Sequence, residues 1–348
     1  MNNGYHFMNE IYEFRIPENN ALRFNLQNGK LLGSTVRVIR VNRDDPLYNQ
    51  IGKLEKWMQN TEKKSFFFGW SIDRRYSKQE LNASRLLTIS TISAFEPTGE
   101  ECGTIYDYSS ICPRCGAGRQ QLSDLKLDLN KIAKKKNIAK TIANEWIIDQ
   151  AFAQLLVDNE ITGFQLKPVI HVNRSYDEQV AIENLKVGKE IINKAEIAGY
   201  PYPHWSFWVW INRPENKYFV DKLVAENRNS QRENMKIFHH QKWYQLVINA
   251  NPINAIPPTL FGIHPFDLDV HGSYKCIYGH VSGLNLLSEL YVDESTWDKS
   301  DIVNTTNLIG IRRGLLYPSP LILFSKKLFN LCIKESIHGL KFEVANLI

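Results

Sequence analysis

The chain has 348 residues, 43% hydrophobic and 23% charged, the balance of a globular protein with sequence for one large or two medium domains. No apolar run approaches the roughly 18 residues needed to cross a bilayer, and MNNGYHFMNEIYEF lacks the basic start and apolar block of a secretion signal, so a cytoplasmic location is expected. Five cysteines are too few, and odd in number, for a disulfide framework, while the net charge of +5 is spread over 42 basic and 37 acidic side chains.

The first hundred residues read as β-rich. Thr35 to Val41 alternates apolar and polar residues with the period of a half-buried strand, and Ser65 to Trp70 is a second strand-like run. Tyr48 to Gln59 between them reads as a short helix. Gly99 and Gly103 flank a turn that leads through Tyr106 to Ile111 into Cys112. Beyond the cysteines, Thr141 to Asp158 has the apolar spacing of a helix, with Ile142, Trp146, Ile147, Phe152, Leu155 and Leu156 on one face. The chain then turns through Gly163 into a strand ending near Ile170. His204 to Ile211, with Trp205, Trp208 and Trp210, reads as a buried strand, Arg213 to Arg232 as an exposed polar segment that is helical in part, and Trp243 to Ile248 as another strand.

A pattern recurs near the C-terminus. With Gly163 set against Gly339, an offset of 176 residues, Phe152 meets Leu328, Leu155 meets Leu331, Leu156 meets Cys332, Ile161 meets Ile337, Phe164 meets Leu340 and Leu166 meets Phe342. An ungapped match of this kind points to an internal duplication. The expected organisation is α+β: a β-rich region at 1–100, a first half at 101–175, an aromatic-rich middle at 176–260 and a second half at 261–348.

Two short motifs carry metal chemistry. In Cys112-Pro113-Arg114-Cys115-Gly116 the two cysteines are spaced to turn inward on one knuckle, and Cys276-Ile277-Tyr278-Gly279-His280 offers a thiolate and an imidazole. Three thiolates and one histidine are a common structural zinc set, so Cys112, Cys115, Cys276 and His280 are the expected ligands of one Zn2+. The alternatives are a redox CxxC pair or unligated thiols, and Cys102 is the substitute should His280 not bind. Cys332 reads as a core residue. A closed four-ligand site leaves no position for water, which argues against catalysis there.

At these residues the sequence resembles the bacterial double-CXXCG family, some of whose members are immunity proteins against contact-delivered toxins. Cys112-Pro113-Arg114-Cys115-Gly116 matches the first knuckle, and Cys276 with Gly279 to Ser288 is similar to the second and the segment that follows it. Gly314 to Val344 is similar to the family's closing helix and strand. The second knuckle lacks the CxxC spacing, and His280 is expected from its own chemistry, not from the family pattern, to take the place of the missing cysteine. The resemblance spans roughly residues 102–348 and implies a cytoplasmic protein that binds and neutralises a cognate toxin.

Other chemistry is sparse. His239 and His240, with Lys242 and Tyr244, can be read as acid–base residues or as a polar turn, and His264 to His271, with Asp267 and Asp269, as a hydrolytic site or as a loop leading to Cys276. No GxSxG, HExxH, Walker or GxGxxG pattern occurs. The basic stretch Lys131, Lys134, Lys135, Lys136 and Lys140 supports a second reading, a nucleic-acid-associated defence or regulatory protein. The favoured expectation is a non-catalytic protein-binding protein with a structural zinc and a protein toxin as partner.

Overall fold

A computed structural model describes residues 8–172, 186–200, 205–228, 242–268, 275–276, 278–280, 282, 284–310 and 316–348. The fold is α+β and begins with a β-rich module. Strand β1 (Asn9–Pro17), helix α1 (Glu18–Arg23), β2 (Lys30–Leu32), β3 (Val36–Asn42), helix α2 (Pro46–Glu62) and β4 (Gly69–Arg75) form a four-stranded sheet in the order β2-β3-β1-β4, covered by α2. Asp45 caps α2 by accepting from the Leu47 N–H, and Pro46 at the first helical position loses no hydrogen bond there. Phe14, Ile16, Ile39, Ile51 and Phe66 fill the core beneath it. The strand expected at Ser65 to Trp70 starts only at Gly69, because Phe66 and Phe67 turn into this core before pairing begins. Helix α3 (Lys78–Ala83), closed by a Ser77–Glu80 capping box, then leads out of the module.

The next segment holds β5 (Leu86–Thr91), β6 (Tyr106–Asp107), β7 (Gln120–Gln121), β8 (Leu125–Leu127), β9 (Ile138–Lys140), β10 (Trp146–Asp149), helix α4 (Gln150–Asp158) and β11 (Phe164–His171). Three helices follow: α5 (Lys186–Ile197), α6 (Trp205–Ile211) and α7 (Pro214–Arg228). The last segment holds β12 (Trp243–Ile248), β13 (Phe261–His264), β14 (Asp267–Leu268), β15 (Asn285–Leu286), β16 (Leu290–Val292), β17 (Ile302–Ile309), β18 (Ser319–Ser325), helix α8 (Lys326–Lys334) and β19 (Leu340–Leu347).

Two of these assignments correct the sequence expectation. The helix expected from Thr141 begins only after Asp149, whose carboxylate accepts from the Phe152 N–H at 2.8 Å as its N-cap. Asn144, at φ +62°, turns the chain between β9 and β10, and Trp146 to Asp149 is an interior strand paired with β9 on one side and β12 on the other. A short, wholly apolar run has no period of its own, so its neighbours decide between helix and strand. The opposite error occurs at Trp205 to Ile211, which is helix α6. Phe207, Trp210 and Ile211 fall on one helical face and pack with Ile191, Ala195 and Val220 in a core of their own.

Two five-stranded sheets dominate the body, ordered β8-β11-β12-β10-β9 and β16-β19-β5-β18-β17. In both, an antiparallel edge pair, a central strand antiparallel to both neighbours and a parallel outer pair recur in the same sequence. The central strand of each comes from the other segment: β5 precedes the first sheet in sequence but lies between β18 and β19, and β12 lies between β10 and β11. The sheet boundaries therefore cross the expected division at 101–175 and 261–348. Helices α4 and α8 both pack into one shared core with strands of the two sheets, with Ile148, Phe152, Leu156, Phe324, Leu328 and Cys332 among its members. Burying both sheets' inner faces in one core gives the two segments a common source of hydrophobic stabilisation.

The β-rich module docks on the last segment through a hairpin. Phe266 lies against Tyr48 (ring centroids 4.8 Å) and Phe14 (5.5 Å). Gly52 on α2 makes the room, since a Cβ there would stand 2.6 Å from the Phe266 ring. A second contact is ionic: buried Arg74 on β4 reaches Glu10 at 2.8 Å and Glu343 on β19 at 3.3 Å.

Candidate metal centre

Each pair of candidate ligands sits on a tight turn that the local sequence makes possible. The Cys112 N–H donates to the Ala117 carbonyl at 2.7 Å and the Gly116 N–H to the Cys112 carbonyl at 2.9 Å, with Gly116 at φ +82°. Gly118, at φ +90°, closes the turn where a Cβ would stand 2.7 Å from the Ser110 carbonyl oxygen, so glycine is required. On the second turn the Cys276 N–H donates to the His280 carbonyl at 2.9 Å and the Gly279 N–H to the Cys276 carbonyl at 2.8 Å, with Gly279 at φ +86°.

The two turns meet. Their four candidate ligand atoms, the Sγ atoms of Cys112, Cys115 and Cys276 and a ring nitrogen of His280, lie within 4.8 Å of one another. Cys112 Sγ is 3.9 Å from Cys276 Sγ, Cys115 Sγ is 3.6 Å from His280 Nδ1, and Cys276 Sγ is 3.2 Å from His280 Nδ1. A tetrahedral ion with bonds of about 2.3 Å to sulfur and 2.0 Å to nitrogen has ligand–ligand edges of about 3.5 to 3.8 Å. The donor set and its spacing therefore fit a tetrahedral metal ion. Ala117 and Leu308 pack around the thiols, and Cys112 and Cys115 are buried.

The electrostatics favour the thiolate at two of the three cysteines. The backbone N–H of Cys115 holds the Cys112 thiol down at about 6, against an ordinary value of 9.0. Burial pushes Cys276 up, but the N–H groups of Tyr278 and His280 outweigh it and leave the thiol below its usual value. Cys115 is raised by burial, and His280 is raised by its hydrogen bond to Cys276. Amide donors directed at sulfur stabilise the anion that a metal binds.

The other candidates fall elsewhere. Cys102, in the turn after Thr98, is outside the four-ligand group, and Cys332 is in the shared core. His264 accepts from the Phe266 N–H through Nδ1, and its Nε2 lies 3.3 Å from Gln59 and 3.7 Å from buried Glu55, so it serves the docking hairpin. Asp267 is in β14, and Asp269, His271, His239 and His240 lie outside the described residues. Tyr244 packs on the shared core, and Lys242 is exposed. The basic stretch is divided: Lys131, Lys134 and Lys135 are exposed, Lys136 donates to Ser93, and Lys140 donates to Asn144 beside the Trp146 ring. Sequence reasoning missed the Glu55–Gln59–His264 contact, because nothing local to Tyr48 to Gln59 marks Glu55 as a buried acceptor.

No helix among the described residues is long and apolar enough to cross a membrane. Comparison with known proteins finds no matching family model, no similar curated protein and no similar solved structure.

Proposed function

We propose that this chain is a non-catalytic, cytoplasmic protein-binding protein of the immunity type, held together by Zn2+ at Cys112, Cys115, Cys276 and His280, which captures and neutralises a cognate bacterial toxin. The observation that supports the structural-zinc part of the reading is that two candidate ligands from each of two distant turns converge within 4.8 Å, enough to fill a tetrahedral shell. Such an ion stabilises architecture by joining segments that lie far apart in the chain, and offers no open position to a substrate. Zinc suits three soft thiolates and an imidazole in this arrangement.

The toxin-binding part of the reading is supported by the resemblance of the Cys112–Gly116 and Gly279–Ser288 motifs to the double-CXXCG family. A partner surface is supported at the helical insertion, where Ile197 and Tyr218 are 79% and 81% exposed. The nucleic-acid reading stands second, since two of the five clustered lysines are engaged within the fold.

The test is co-purification of the full chain from its native host, together with toxin challenge of cells with and without the gene. Salt-insensitive capture of one secreted toxin, with protection lost on deletion, is the expected result. Binding of generic DNA or RNA that collapses as salt rises, with no effect on toxin survival, would replace this reading with the second one.

A further inference from the structure

We infer that residues 86–172 and 243–348 are two copies of one fold related by a local two-fold axis, each lending its central strand to the other, with the metal lying on that axis. The inference rests on the proposed metal centre and says how that centre is built.

The equivalence extends to individual bonds. In the first sheet Trp243 pairs with Asp149, Tyr244 with Ile148 and Gln245 with Ile147; in the second, Leu86 pairs with Ser325, Leu87 with Phe324 and Thr88 with Leu323. Asp149 and Ser325, 176 residues apart (325 − 149), are also the N-caps of α4 and α8. The strand exchange thus has the same register in both directions. Side chains repeat it: Thr104 Oγ1 accepts from the Lys126 N–H at 2.9 Å and Thr259 Oγ1 from the Tyr291 N–H at 2.8 Å. Ser123 Oγ accepts from the Ile105 N–H at 2.9 Å and Ser288 Oγ from the Leu260 N–H at 2.8 Å.

Contacts between the copies are reciprocal, as a two-fold interface requires. The Ile302 N–H donates to the Thr162 carbonyl at 3.0 Å, and the Ile138 N–H donates to the His338 carbonyl at 3.4 Å. Asp301 accepts from the Thr162 N–H at 3.1 Å, and Asn137 accepts from the His338 N–H at 2.9 Å. Gly163 lies against the Ile302 carbonyl and Gly339 against that of Ile138, each so close that an added Cβ would stand 2.1 and 2.3 Å from the oxygen.

The ligands follow the same offsets. Cys276 follows Cys112 by 164 residues, as Ile302 follows Ile138, and His280 follows Cys115 by 165, as Leu290 follows Leu125. Equivalent ligands lie close across the centre, Cys112 to Cys276 at 3.9 Å and Cys115 to His280 at 3.6 Å, while Cys276 and His280 of one turn approach to 3.2 Å. With the reciprocal backbone bonds, the shared offsets put a two-fold axis through the ion, which makes positions 115 and 280 interchangeable. The α5–α7 insertion and the N-terminal module are the parts outside the repeat.

The experiment exchanges those positions in the full chain. Co2+ is titrated into wild type, the singles Cys115→His and His280→Cys, and the double variant carrying both, with the thiolate charge-transfer bands read in each. Wild type is expected to bind one Co2+ with the bands of three thiolates. The double variant should keep that stoichiometry and spectrum with affinity within about tenfold of wild type, the order of a modest perturbation to ligand support. A folded double variant that binds no Co2+, or binds more than about 100-fold more weakly, overturns the axis. Should the double variant not fold, the reciprocal crossings decide: Gly163→Ala and Gly339→Ala should lower the urea midpoint by matching amounts, which upholds the axis, and a loss at only one of them overturns it. Failure of wild type to bind Co2+ would refute the metal centre instead, which keeps the two failures apart.

Discussion

The reciprocal crossings at Gly163 and Gly339 give the most quantitative prediction. Alanine at either position must adopt a φ of +92° or +110°, a conformation that costs a residue with a side chain about 1 to 3 kcal/mol. It must also place a Cβ 2.1 or 2.3 Å from a backbone carbonyl of the facing segment, which cannot move as the end of a flexible side chain can. Relief requires the crossing to open, weakening the Thr162–Ile302 and Thr162–Asp301 bonds, or the His338–Ile138 and His338–Asn137 bonds, at about 1 kcal/mol each. Each variant should therefore lose about 3 to 5 kcal/mol, at the upper end of single-substitution effects. Gly103→Ala isolates the backbone part, because φ is +86° there and the nearest atom to an added Cβ is Lys126 Cδ at 4.0 Å. It should lose no more than about 1 to 3 kcal/mol. Urea unfolding of the three single variants measures the difference. Equal losses at Gly163, Gly339 and Gly103 would refute the close-approach argument, and a large loss at only one crossing would refute their equivalence.

Removal of the metal by a chelator, or by Cys112→Ser or Cys276→Ser, should abolish stoichiometric zinc in elemental analysis. It should also remove about 3 kcal/mol of stability at free zinc near 100 times its Kd; a melting temperature unchanged by zinc in wild type would count against the site. Phe266→Ala, which empties the space between Phe14, Tyr48 and Phe67, should cost about 2 to 4 kcal/mol and speed proteolysis of the N-terminal module. An unchanged proteolysis rate would mean that the hairpin does not hold the module. His264 is held below its ordinary value of 6.5 by burial, although Glu55 pulls the other way. The unfolded chain therefore binds this proton more readily, so stability falls as pH drops through 6.5. The loss between pH 7.5 and 5.5 should shrink in His264→Asn, and identical pH dependence in the two proteins would reject this assignment.

How much of this was legible in sequence depends on the range of the interaction. The candidate metal ligands were readable because their chemistry is local: CxxC spacing and flanking glycines suggest a knuckle before any fold is known. Helix α2 was readable for the same reason, with its own cap and period. Trp146 to Asp149 was not, because the apolar run of three from Trp146 to Ile148 becomes a strand only when β9 and β12 pair with it. The helical face of α6 was present as Phe207, Trp210 and Ile211, yet the surrounding tryptophans masked its period.

The sequence alone therefore determined which side chains can bind a metal and which segments are apolar enough for a core, since both are properties of residue type and spacing. Only the tertiary structure decided that β5 and β12 exchange places, that Glu55 is buried against the His264 hairpin, and that two turns 161 residues apart meet within 4.8 Å. Strand exchange leaves no mark in a window of residues: a central strand is apolar whichever sheet receives it, and its neighbours are chosen by register and burial across the whole chain.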